Sequence, residues 1–225
     1  VKRYFDLLAV QRWDDHRFYH QSRINQTLHL VSAISFLVAY ATLFVDPALA
    51  ALIGWCVSMV TRQTGHYVFE PRGFDQVNQV SDDHKEAIKV GFNMKRKTAL
   101  LAVWVLIPAL LWVQPALFGL IEPSPAQGLL SGWAHDVGMA WLSLGVAGVC
   151  FRVIQLWIKQ DLLTGIAWAS KILSDPFHDI TMYWKSPYYL LRGQLLDPMD
   201  HVRAHTLAQD AEEDGDDQAE AQAKA

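Results

Sequence analysis

Residues 63–72, Gln-Thr-Gly-His-Tyr-Val-Phe-Glu-Pro-Arg, set His66 and Glu70 one helical turn apart at the end of an apolar run. Residues four apart on a helix share a face. Imidazole and carboxylate can therefore address one ion, or the carboxylate can orient the imidazole from behind. A Gly-His pair that only caps a helix is the plain alternative. A second series, His16, His20, Asn25 and His29, has related spacing, with His16 and His20 on one helical face and Asn25 and His29 on another. His29 stands at the mouth of one apolar run and His66 at the mouth of the next. A turn at Asp46-Pro47 makes those runs antiparallel neighbours and brings both histidines to similar depth. Joined by His20 and Glu70, they form a nitrogen and carboxylate site without thiolate, which suits iron, with zinc and manganese as rivals.

His178 lies in Asp175-Pro-Phe-His178-Asp179. After a turn-forming Asp-Pro it can fold back as a further ligand oriented by either aspartate, or it can be a helix-start histidine beside a capping Asp. His16 and His84 are weaker candidates, and His135, His201 and His205 read as solvated. Arg23, Arg62 and Arg72 can pair with a substrate carboxylate or simply orient the chain at an interface.

The elements that must position these groups are apolar blocks. Of 225 residues 52% are apolar, gathered into runs, and nine are Trp, which favour membrane interfaces. The expected fold is all-α: a polytopic membrane protein of about four transmembrane helices with interfacial amphipathic helices. Residues 1–27 mix Arg with aromatic residues, as a helix at the membrane surface does, and contain no cleavable signal pattern. Residues 28–45, uncharged throughout, read as the first span. Residues 48–60 are too short to cross alone, so a second span must continue through 63–70. Residues 98–121, with Pro108 and Pro115, read as a kinked third span, residues 122–136 as a loop, and residues 137–158 as a fourth span containing Arg152. An amphipathic segment follows from 159 to 205. Residues 1–206 make one domain, and residues 207–225 an acidic tail expected to be disordered, which accounts for the net charge of −4.

Basic residues border the N-terminus, residues 71–97 and the segment after the fourth run, whereas the Asp46-Pro47 turn and residues 122–136 carry none. The positive-inside rule then gives an N-in/C-in chain with its site facing the cytoplasm. No basic stripe with stacking aromatics suggests nucleic acid. Cys56 and Cys150 fall inside apolar runs and suggest neither disulfide nor thiolate site. The lack of a retention signal at Ala225 favours a bacterial inner membrane, with the endoplasmic reticulum as the alternative.

Phe18-Tyr19-His20, then Asn25, then His29, followed by an apolar hairpin and Gly65-His66-x-x-Phe69-Glu70-x-Arg72, resembles the Mpo1-like family. That family's yeast member is an iron-dependent dioxygenase of the endoplasmic reticulum that shortens 2-hydroxy fatty acids by one carbon. The resemblance covers roughly residues 16–72. It implies Fe(II) held by His20, His29 and His66, with Asn25 and Glu70 as ligands or their supports, and a fatty-acid-type lipid and dioxygen as substrates. The chain departs from the family at Arg23, where Pro is common, and at Gly73-Phe74-Asp75. The acyl chain is expected among Phe36, Trp55, Trp104 and Trp112. Two rivals are a diiron lipid hydroxylase or desaturase, whose dense HxxHH boxes are missing here, and a non-enzymatic membrane scaffold. Oligomeric state is not legible.

Overall fold

The computed structural model describes residues 1–88, 94–126, 130–202 and 204. The expected disordered tail and His205 lie outside them. The described residues form helices and no strand: α1 (Lys2–Tyr19), α2 (Arg23–Thr42), α3 (Pro47–Ile53), α4 (Val60–Thr64), α5 (Asp82–Ile88), α6 (Met94–Val113), α7 (Gly132–Lys159), α8 (Leu162–Tyr183) and α9 (Ser186–Leu191). Side chains set several starts. Ser22, Asp46, Ser131 and Asp161 each accept from the backbone N–H three residues on, and Pro47 fills the first position of α3.

Packing of α2 on α3, α3 on α7, α7 on α8 and α8 on α2 closes a ring of four helices, with α1 outside against α8 and α6 outside against α7. Small residues permit the closest approach: a Cβ on Gly138 of α7 would lie 2.4 Å from the Ala48 carbonyl oxygen of α3. At the apolar end, Leu111, Val137 and Trp141 form a buried cluster. The Trp55 indole donates to the Trp141 carbonyl, and the Trp141 indole to the Trp104 carbonyl, each at 3.0 Å.

Among the described residues two helices, Arg23–Thr42 and Gly132–Lys159, are long and apolar enough to cross a membrane, and only 33% and 17% of their apolar windows are buried. The other two expected spans differ. The run from 47 to 69 is one continuous helix, as its length demanded, but it alternates α with π stretches at Gly54–Met59 and Gly65–Phe69. The third is apolar over Thr98–Val113 only, because α6 stops before Pro115 while continuing through Pro108. The fourth begins earlier than expected, since Ser131 caps α7 inside the expected loop.

The turn expected at Asp175-Pro176 is also absent, because α8 runs straight through it. Pro176 cannot donate to the backbone. Its turn is supported from α2, where the Tyr40 hydroxyl donates to the Leu173 carbonyl at 3.1 Å. The expected acyl-chain residues are divided among separate packings: Trp55 stacks on Trp104 at 6.0 Å, Trp112 meets Trp133 edge-on at 5.7 Å, and Phe36 tilts against Tyr40.

Candidate metal centre

His20 ends α1, His29 lies in the second turn of α2, and His66 sits in the Gly65–Phe69 π stretch. All three are buried, and each offers a ligand atom within 4.8 Å of the others. His29 Nε2 lies 3.3 Å from His20 Nε2 and 3.1 Å from His66 Nε2. Ligands of one ion bonded at about 2.0–2.1 Å are spaced by about 3 Å. π turns recur at functional sites, and here one sets the register of His66. Gly65 lets α2 approach that turn, since a Cβ there would stand 2.0 Å from Asn25 Oδ1.

The outer nitrogens fix the protons. His20 Nδ1 lies 2.7 Å from the Asp15 carbonyl oxygen. A carbonyl only accepts, so Nδ1 carries the hydrogen and Nε2 of the neutral ring is a bare lone pair. His29 Nδ1 lies 3.4 Å from Asp179 Oδ2 and 3.2 Å from the bare His20 Nε2, both acceptors, so it carries the hydrogen and leaves Nε2 as the lone pair. Arg62 holds Asp179 in turn, at 3.2 Å. Two lone pairs therefore face one pocket. Burial, then the neighbouring His29, hold the His20 pKa well below 6.5, so a proton is a poor cation for that pocket. A divalent metal suits it, and a carboxylate or carbonyl behind a ligating histidine is the usual arrangement.

Glu70 is not among the converging groups. The π stretch ends at Phe69, and Glu70 leaves it with extended backbone (φ −74°, ψ 134°), so the expected shared face with His66 is lost. Its carboxylate accepts from Gln21 N at 2.6 Å, Ser22 N at 3.4 Å and Asn25 Nδ2 at 2.6 Å. Burial nevertheless raises its pKa from 4.5 to about 7 against those hydrogen bonds. Asn25 Nδ2 also donates to the Tyr19 carbonyl at 2.7 Å. Both residues tie down the turn that carries His20.

His178 does not join the cluster either. Successive helical residues are about 100° apart, and Asp179 is the one turned towards His29. Arg23 faces Asp197 at 2.9 Å and lies over the Tyr189 ring, and Arg62 faces Asp179 and Asp175. Arg72 is exposed, donates to the Tyr67 carbonyl at 2.6 Å, and shares with Gln21 the wall of a cavity of about 350 Å³. His84 is exposed on α5, and His135 lies 3.5 Å from Asp136.

Several supporting residues have no counterpart in the sequence reading. Gln26 Nε2 donates to the His20 carbonyl at 2.7 Å and to Asp197 at 2.9 Å. The C-terminal segment also receives Arg23 N at the Leu195 carbonyl, while Asp197 N donates to the Gln21 carbonyl. The Tyr183 ring stacks on His20 at 5.3 Å. Its hydroxyl meets His16 Nδ1 at 3.2 Å, and His16 Nε2 meets His201 Nε2 at 2.9 Å. A signal was present for α8: Lys171, Asp175, Asp179 and Tyr183 are spaced by four and make one buried polar stripe.

Compared with family models, with curated proteins and with solved structures, the chain matches none of them.

Proposed function

We propose that this chain is a membrane-embedded Fe(II)-dependent dioxygenase that shortens 2-hydroxy fatty acids by one carbon. The observation that carries the reading is the buried convergence of His20, His29 and His66, with two of the three rings held as the tautomer whose lone pair faces inward. The likeness of residues 16–72 to the Mpo1-like family supplies the reaction and substrate class. Iron bound there supplies dioxygen activation and a chelation point for the carboxylate and hydroxyl of a 2-hydroxy acid. Asp15 and Asp179 keep protons off the inward nitrogens, and burial keeps bulk water away.

A fatty acid rests with its head at the bilayer interface and its tail among the lipids. The outward apolar faces of α2 and α7 suit that setting, in a bacterial inner membrane with the site on the cytoplasmic side. Arg23 and Arg62 are engaged with aspartates, so Arg72 is the guanidinium assigned to the substrate carboxylate.

Metal analysis of detergent-purified protein beside His66→Ala is the test. About one iron per chain, lost in the variant, together with oxygen-dependent conversion of a 2-hydroxy fatty acid to a product one carbon shorter, is the expected result. Two irons per chain would move the protein to the diiron hydroxylases. No metal after anaerobic Fe(II) loading would leave a membrane scaffold.

A further inference from the structure

Two triad histidines are oriented by groups on different helices. His20 donates to the main-chain carbonyl of Asp15 on α1, and His29 to the carboxylate of Asp179 on α8. Between these supports runs an unbroken line of buried and half-buried charge. Lys171 Nζ contacts the Asp15 carboxylate and lies 2.8 Å from Asp175 Oδ2. Asp175 faces Arg62 at 3.6 Å and Arg12 at 3.9 Å, and Arg62 reaches Asp179 at 3.2 Å. Three cations, Arg12, Arg62 and Lys171, offset three carboxylates, Asp15, Asp175 and Asp179. Lys171 and Asp175 each keep only 5% of their side-chain surface exposed.

Buried ion pairs contribute little net stability compared with well-packed apolar residues, because desolvation offsets attraction. What such a line provides is fixed geometry. We propose that Lys171 is a positioning residue of the metal centre: it ties the α1 turn that orients His20 to the α8 stripe that orients His29. The inference rests on reading the triad as a metal site. Lysine suits the task because its ammonium has three donors and can serve two carboxylates at once. Its place on α8, one and two turns before Asp175 and Asp179, transmits any shift of α1 to both.

Co(II), loaded anaerobically, serves as the probe because its absorption spectrum reports ligand geometry. Lys171→Met is expected to weaken Co(II) binding 10- to 100-fold, as loss of a support behind a ligand does, and to alter the spectrum. Lys171→Arg should restore most of both. Asp15→Asn, at a partly exposed position, keeps the carbonyl that His20 uses but loses the ion pair. It should weaken binding about 3- to 10-fold, at the low end of such effects, and it decides the matter alone if Lys171→Met does not fold. A merely structural network would lower the melting temperatures of metal-free and Co(II)-loaded protein equally. A positioning role shrinks the rise that Co(II) produces. Wild-type affinity and spectrum in Lys171→Met and Asp15→Asn would overturn the inference while leaving the triad reading intact. Failure of wild-type protein to take up Co(II) or Fe(II) would remove the metal reading, and this inference with it.

Discussion

Two groups of histidines lie on either side of Tyr183, and they are built to opposite ends. In the triad His20 Nδ1 donates to the Asp15 carbonyl and His29 Nδ1 faces Asp179 Oδ2 and His20 Nε2, so the Nε2 lone pairs of the two rings stand 3.3 Å apart. In the His16–His201 pair the nitrogens stand 2.9 Å apart with ring centroids 5.1 Å apart and planes 23° from parallel. Those rings meet head to head, as an N–H···N hydrogen bond requires. One group is arranged to hold a cation and the other shares a proton. The same residue type at the same local spacing therefore does not settle the chemistry; the partner of the second ring nitrogen does.

The largest effect that would break this contrast is loss of a triad ring. His29→Ala should reduce bound metal from about one per chain to nearly none, measured on protein whose helicity is unchanged. Asp179→Asn should bind metal 10- to 100-fold more weakly, read by anaerobic titration, because an amide can present its NH₂ to His29 and release the tautomer.

The acid side gives a third measurement. Burial, then the adjacent His201, lower the His16 pKa to about 4. Its contribution to stability is therefore full above about pH 6.5 and is lost as pH falls towards 4, by up to about 3 kcal/mol. His16→Gln should flatten that part of the profile in metal-free protein. Glu70 has the opposite sign. With its pKa raised from 4.5 to about 7, its contribution is full below 4.5 and is lost as pH rises through 7, so Glu70→Gln should remove a loss on the alkaline side. The smallest effect belongs to His201→Ala. Metal content should stay at the wild-type level while stability falls by about 1 kcal/mol for one partly exposed hydrogen bond.

Much of the triad was legible because it depends on local spacing. His29 and His66 flank a hairpin whose turn, Asp46-Pro47, caps α3 as its residues demand, so their convergence follows from chain geometry. His16 and His20 both meet the Tyr183 ring, as a shared face requires, yet they belong to different groups. The reason is that α1 ends at His20, with φ −136° and ψ 45°, so its backbone is no longer helical there. Glu70 was misplaced for a related reason: a π stretch changes the residue count per turn, and no sequence period announces one. Supports from far along the chain were the least legible. Asp179 was a candidate only as a neighbour of His178, because α8 was expected to break at Pro176. Once that helix is continuous, its four-residue polar stripe picks out Lys171, Asp175, Asp179 and Tyr183 together. The apolar pattern located α2 and α7 well, since long uncharged runs need no partner to be recognised.

The C-terminal segment that clasps the Gln21–Arg23 turn has a consequence for the order in which the protein matures. Gln26 and Asp197 are separated by 171 residues, and a ribosome adds about 5–20 residues each second. The three histidines thus emerge many seconds before the residues that orient His29 and secure the turn behind His20. During that interval the nascent chain offers imidazoles whose protons are free to exchange. With the triad as a metal site, capture of an ion would be a late event in biogenesis, and a chain that stops before Asp179 would hold it more weakly.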